Sequence, residues 1–170
     1  MTNSSSSLTL PGWHRRYVQQ AQWTQALRRH LLEQPRLQQA RSVLDVGCGT
    51  GALLDELAHG GKRLVTGIDI DFASLAFARQ GSQSRLACAD GHSLPFRSAS
   101  FDLAVCHFVL LWVGDPLQLL KEMRRVVRPG GAVLALAEPD YGGRIDYPQA
   151  SQELGHMQAE ALERQGADIF

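Results

Sequence analysis

Ser42-Val43-Leu44-Asp45-Val46-Gly47-Cys48-Gly49-Thr50-Gly51 is the stretch around which the chain is organised. Val43, Leu44 and Val46 form a short apolar run suited to a buried parallel strand. The run stops at Gly47, Gly49 and Gly51, and Ala52, Leu53, Leu54, Leu57 and Ala58 follow at helical spacing. The local reading is strand, glycine loop, helix. Glycine lets the backbone turn tightly, and without a Cβ a ligand can lie against the main chain. The helix start adds unpaired N–H groups and a positive dipole end. Such a loop suits a nucleotide-like cofactor. The dinucleotide fingerprint is G-x-G-x-x-G, whereas here it is G-x-G-x-G with Asp45 two residues ahead. A carboxylate at that strand end repels a pyrophosphate and tolerates a cation.

Downstream, strands and helices alternate, the signature of a doubly wound α/β domain. Residues 63–70 give a second strand that delivers Asp69 at its end. Asp69 lies 18 positions after Gly51, near the spacing at which a carboxylate meets a ribose in a βαβ unit. Asp71 suits the N-cap of a helix over 71–80, with Leu75, Ala76 and Phe77 inward. Residues 84–89 and 100–106 read as the third and fourth strands. Asp102 begins the fourth on the edge far from any ligand, a structural position, and His107 stands at its C-terminal end. In open α/β sheets ligands bind outside those ends. A helix from Pro116 to about Val127, a turn at 128–131 and an apolar fifth strand over 132–137 follow. A last helix over 151–165 points Leu154, Met157, Ala161 and Leu162 inward.

Upstream, residues 13–33 read as one helix closed by Pro35. Val18, Ala21, Leu27, Leu31 and Leu32 give its apolar face, interleaved with Arg15, Arg16, Arg28 and Arg29, which meet an acidic substrate or water. Residues 1–12 read as a disordered, Ser/Thr-rich lead-in. Residues 13–170 then make a single domain: the N-terminal helix (13–35), a cofactor-binding core (42–138), and an acceptor loop and helix (139–170).

The chain has 170 residues and a formal net charge of zero. That length is one domain, and the charge gives no general attraction to nucleic acid or an anionic membrane. No apolar run reaches the roughly 18 residues of a membrane span, and no basic segment leads an apolar core at the N-terminus. Cys48, Cys88 and Cys106 read as free buried thiols without metal-ligand spacing, as expected in the cytoplasm.

The segment 43–51, with Leu94-Pro95-Phe96, Ser100-Phe101-Asp102, Asp115-Pro116, Glu122 and Arg125-Val126-Val127-Arg128-Pro129-Gly130-Gly131 in register after it, resembles the class I S-adenosylmethionine-dependent methyltransferases. The likeness covers about residues 42–138 and is nearest to the subgroup that methylates quinones and other small molecules. It implies a Rossmann-like parallel sheet of strand order 3-2-1-4-5. It also implies S-adenosyl-L-methionine as cofactor. Asp45, Gly47, Cys48, Gly49 and Gly51 would cup its amino-acid end, Asp69 its ribose, and Ile70, Asp90, Gly91 and His92 its adenine. His107 has three readings: cofactor lining, a base on the acceptor, or neither. The N-terminal helix is either packing or a lid with Tyr17 or Trp23 near the reactive methyl, where an aromatic face stabilises a sulfonium by roughly 0.5–2 kcal/mol. Glu138, Asp140 and Tyr141, in the loop after strand five, orient a substrate or sit in a solvated turn.

The methyl acceptor itself is not legible in the sequence. A small molecule is favoured, since no basic stripe marks a nucleic-acid binder and no Asn-Pro-Pro-Tyr is present. Two rivals stand beside methyl transfer. A nicotinamide oxidoreductase shares the strand, loop and acidic strand tip, against the glycine spacing and Asp45. A non-catalytic relative that binds cofactor or a partner is the other. The family's last two strands have no counterpart here, so strand five is expected to be a bare edge. A truncated chain, a gene fragment, or a homodimer completing its sheet through that edge all stay open.

Overall fold

The computed structural model describes residues 9–141, 143 and 145–168. Residues 1–8 of the lead-in, Gly142 and Arg144 of the loop after strand five, and the last two residues lie outside that range. β1 (Ser42–Val46) is the centre of a five-stranded sheet. β2 (Leu64–Asp69) and β4 (Phe101–His107) flank it, with β3 (Arg85–Cys88) and β5 (Val127–Leu136) outside them. All neighbours are parallel and the order is β3-β2-β1-β4-β5, as the resemblance implied. Among the described residues the outer edge of β5 has no strand partner.

Alternate residues of a strand point to opposite faces, so β1 feeds two cores. Val43 packs with Leu54, Leu57, Leu75 and Leu103 on one side. Leu44 and Val46 pack with Ile68, Leu119, Met123 and Val126 on the other. The covering helices are α4 (Leu54–Ala58), α5 (Phe72–Gly81) and α6 (Pro116–Val126). Register sets Val46 opposite Ile68 and Cys106, so the residues that end β1, β2 and β4 emerge together at one rim.

The ordered motifs beyond the glycine loop are largely braces. The Glu122 carboxylate accepts from Leu94 N at 2.9 Å and from Arg125 Nε and Nη2 at 2.6 and 2.7 Å. Arg125 also donates to the Phe96 and Leu94 carbonyls at 2.8 and 3.0 Å. The loop between β3 and β4 thereby has its polar backbone satisfied by α6. Asp102 takes the Arg41 and Ser42 amides at 2.6 and 2.9 Å and pairs with Arg128, the structural role expected of it. Asp71 caps α5 by accepting from Ala73 N at 3.0 Å and Ser74 N at 3.2 Å. Asp71→Ala is expected to lower stability by about 1 kcal/mol, read as a shift in the urea midpoint.

Several elements depart from the sequence reading. The N-terminal helix is broken: α1 (Leu10–Trp23), α2 (Gln25–Leu32) and a short α3 (Pro35–Gln38) replace one helix over 13–33. Thr24 leaves helical geometry at φ −113° and ψ 7° because its side chain bonds elsewhere. Residues 10–12, read as lead-in, are the first turn of α1. β5 starts at Val127, and its register jumps from Phe101–Val127 to Leu103–Ala132, so the 128–131 turn is looped out of a strand. α7 (Gln149–Glu163) leaves Leu154 and Met157 exposed rather than inward. It meets the domain through Ala159 and Leu162, which pack with Leu111, Tyr141 and Ala167. Cys88 is exposed, not buried, because β3 is an edge strand.

Candidate functional site

Gly47, Gly49 and Gly51 all have positive φ, at 72°, 51° and 83°, which L side chains rarely adopt. Gly47 N and Cys48 N both donate to the Ile68 carbonyl at 2.9 Å, joining the loop to β2. A Cβ on Gly47 would lie 2.6 Å from Val109 Cγ2, so this position is closed to any side chain. At Gly49 the nearest atom to an added Cβ is Asp69 Oδ2, at 3.9 Å. The Gly49 α-carbon is otherwise uncrowded, while its own N–H is bonded to that same carboxylate oxygen. Cys48 is turned the other way: a Cβ on Gly67 of β2 would meet its Sγ at 2.8 Å. Burial, with Asp45 and Asp69 nearby, pushes that thiol up, away from thiolate. Cys48 thus offers the site its backbone.

Two carboxylates stand at the loop in different states. Asp69 Oδ2 accepts from Gly49 N at 2.7 Å and Oδ1 from Asp71 N at 2.9 Å. Asp45 is 2% exposed, and among the described residues its carboxylate takes no hydrogen bond. Burial first, then the negative charge of Asp69, raises its pKa to about 7, with Arg28 pulling the other way.

α1 and α2 lie over this rim. His14 Nδ1 is 2.9 Å from Thr50 Oγ1 in the glycine loop. Tyr17, stacked on Trp13 at 5.7 Å, has its hydroxyl pKa raised by burial and by the charges of Asp69 and Asp71. Arg28 is 1% exposed, the most enclosed side chain of the N-terminal segment. It grips Glu56 of α4 through Nε and Nη2 at 2.9 and 2.7 Å, and Nη1 donates to Thr24 Oγ1 at 2.6 Å. Thr24 Oγ1 and Arg28 Nη1 reach His107 Nε2 at 2.9 and 3.3 Å. Trp23 is exposed.

The remaining candidates are dispersed along the rim. Ile70 is 73% exposed, so its side chain is open to a flat ring. Asp90 accepts from His92 N at 2.9 Å and lies 2.7 Å from His92 Nδ1. His92 Nε2 in turn takes Asp115 N at 3.3 Å, which ties this turn to the start of α6. A Cβ on Gly91 would strike Leu119 Cδ1 at 2.9 Å. Glu138 is committed to the backbone: Val109 N and Leu110 N donate to its Oε2 at 2.9 Å each. Asp140 Oδ1 takes Gly143 N at 2.7 Å, and the Tyr141 hydroxyl lies 3.3 Å from Gln158 Nε2.

Sequence reasoning missed four participants: His14, Thr24, Arg28 and Glu56. Arg28 looks like its neighbours Arg15, Arg16 and Arg29, and Trp23-Thr24-Gln25 contains no helix breaker. An arginine and a glutamate that meet only after the sheet has brought α2 and α4 together leave no local signal. An open cleft of about 1200 Å³ lies by the N-terminal ends of β1 and β2, lined by Arg29, Arg41, Lys62 and Arg63 but also by Glu33 and Asp55. Arg63 there is directed to the Leu32 and Leu37 carbonyls at 3.5 and 3.3 Å, and none of the candidate cofactor residues lines the cleft, although Glu56 does.

Residues 44–135 match the family described as "Methyltransferase domain". The chain belongs to the class I S-adenosylmethionine-dependent methyltransferase family. This methyltransferase-family chain is 37% identical over 115 residues to the demethylmenaquinone methyltransferase of Staphylococcus epidermidis, covering 64% of itself and 48% of that protein. It is 43% identical over 94 residues to the malonyl-[acyl-carrier protein] O-methyltransferase of Pseudescherichia vulneris, covering 54% and 37%. An S-adenosylmethionine-dependent methyltransferase structure from Mesorhizobium loti superposes with a TM-score of 0.53 at 28% identity, over 60% of this chain and 48% of that one. The chain thus spans about half or less of the length of the curated relatives it matches. No described helix is long and apolar enough to cross a membrane.

Proposed function

We propose that this chain binds S-adenosylmethionine at the rim of β1, β2 and β4 and transfers its methyl group to a small-molecule acceptor in the cytoplasm. The observation that carries the reading is Asp45. A carboxylate that is almost fully buried and has no hydrogen bond among the described residues is costly, and a cation at the glycine loop would relieve the cost. Gly49 leaves room for such a ligand beside Asp69, and the exposed Ile70 offers an apolar face next to it. These residues fit the family's cofactor. Asp45 would hold its ammonium group, the backbone of 47–51 its amino-acid end, Asp69 its ribose, and the Ile70 and 90–92 segments its adenine.

The cofactor, when bound, supplies an electrophilic methyl group already activated on sulfur. The protein's own work is then alignment, worth about 7–11 kcal/mol where it is complete, and exclusion of water by α1 and α2. The acceptor class is supported by the relatives' names, a quinone precursor and a carrier-bound malonyl group. The methylated group is small in each, free in one and carried on a protein in the other, and neither is a nucleic acid.

The test is isothermal titration of the chain with S-adenosylmethionine, with NADH as control. Micromolar binding of the first and none of the second is expected. A folded chain that takes up neither, or only NADH, defeats the reading. The pH dependence follows from Asp45. Its pKa of about 7 leaves roughly a tenth of the carboxyl ionised at pH 6, and a cationic ligand selects the ionised form. Affinity is therefore expected to rise about tenfold from pH 6 to pH 8 and to level off above. Asp45→Asn should flatten the profile.

A further inference from the structure

We propose that His107 is held in this site as a neutral hydrogen-bond donor, with its proton on Nδ1, and is not the base that deprotonates an acceptor. Calling its surroundings a methyl-transfer site rests on the function proposed above; its state rests on the hydrogen-bond geometry and the charges around the ring.

The break between α1 and α2 brings Thr24 Oγ1 to 2.9 Å from His107 Nε2. One turn further on, Arg28 Nη1 comes to 3.3 Å from the same nitrogen. A guanidinium has only hydrogens to offer, so the nitrogen it faces must present a lone pair. Thr24 gives the same answer. Its oxygen already accepts from Arg28 Nη1 at 2.6 Å, so its own hydrogen is free to donate. The alternative acceptor, the Ala21 carbonyl, is 3.4 Å away, and Nε2 is nearer. Two donors thus converge on Nε2, and the ring proton is left to Nδ1. Among the described residues Nδ1 takes no hydrogen bond, so that N–H is available to a ligand.

The charges around the ring favour the same state. Burial and the Arg28 cation both oppose the imidazolium, and they outweigh Glu56 from α4. Both Glu56 oxygens are already engaged by Arg28. The Phe108 ring, 4.7 Å away edge to face, adds no charge. The outcome is a pKa of about 4, too low for a base that must carry a proton at neutral pH. Thr24 and Arg28 are therefore positioning residues, acting through His107. The acceptor must then bring a nucleophile that needs no proton removed by this imidazole.

The ¹⁵N-labelled, ligand-free chain tests this through long-range ¹H–¹⁵N correlations of its six histidines, with His107 assigned by its loss in His107→Gln. The Nδ1–H pattern for His107 is expected, unchanged from pH 8 down to pH 5. Arg28 Nη1 still faces Nε2 in Thr24→Val, so that variant should keep the Nδ1–H pattern. Thr24→Val combined with Arg28→Met and Glu56→Gln removes both donors without leaving a buried charge alone, and should shift the population toward Nε2–H. An Nε2–H ring in the wild type, protonation above pH 6, or an unchanged Nδ1–H pattern in the triple variant overturns the proposal. No cofactor is used, so this result is independent of the titration that tests the cofactor reading.

Discussion

Arg28→Ala is expected to lower the stability of the chain by about 3 kcal/mol, the lower part of the range for breaking a buried ion pair. The guanidinium is 1% exposed, and it is shared among Glu56, Thr24 and His107. Removing it leaves the Glu56 carboxylate without its partner. Glu56 keeps 28% of its side-chain surface, so part of that charge is recovered by water, and the upper part of the range is not reached. For a domain of this size 1 kcal/mol moves the melting temperature by roughly 2–4 °C, so a fall of about 6–12 °C is the readout. Pairing Arg28→Met with Glu56→Gln should recover much of the loss, because no buried charge is then left alone. A drop under about 1 kcal/mol for Arg28→Ala would mean that the pair is not formed.

Asp69→Ala is expected to weaken S-adenosylmethionine binding by roughly 1.5–3 kcal/mol, about 10- to 150-fold, the usual cost of losing hydrogen bonds to a charged group. The carboxylate is already anchored: Gly49 N holds one oxygen at 2.7 Å and Asp71 N the other at 2.9 Å. Each oxygen keeps a further lone pair, enough for both hydroxyls of a ribose, and the anchoring removes the entropy cost of fixing the side chain on binding. Asp69→Asn retains one acceptor oxygen and should fall between wild type and alanine. Calorimetric titration of the three proteins gives the ranking. A change under twofold for alanine would remove Asp69 from the ribose role.

β1, β2 and β4 were legible because each is a compact apolar run ending at a glycine, an aspartate or a histidine, and such runs need no distant information. The order β3-β2-β1-β4-β5 came from the resemblance. The Asp71 cap was readable because its partners are two and three residues away. What failed to show was set by tertiary contacts. Leu154 and Met157 have helical spacing, but a period cannot say whether anything lies against the face it defines. Cys88 reads as buried until β3 is known to be an edge. The site divides along the same line. Asp45 and Asp69 sit at strand ends that the sequence marks, whereas Arg28 acquires its meaning only from Glu56 and His107.

The placement of α1 and α2 bears on the order in which the molecule is assembled. They leave the ribosome before the groups that hold them: Thr50 and Glu56 follow β1, and His107 comes only at the end of β4. β1 in turn gains β2 across one helix but must wait for β4 until α4, β2, α5 and β3 have been made, the kind of distant pairing that slows folding. Until then the Arg28 charge has no reason to leave water. These two helices are thus made before the groups they dock on, and the rim is covered only once β1 and β4 beneath it have paired.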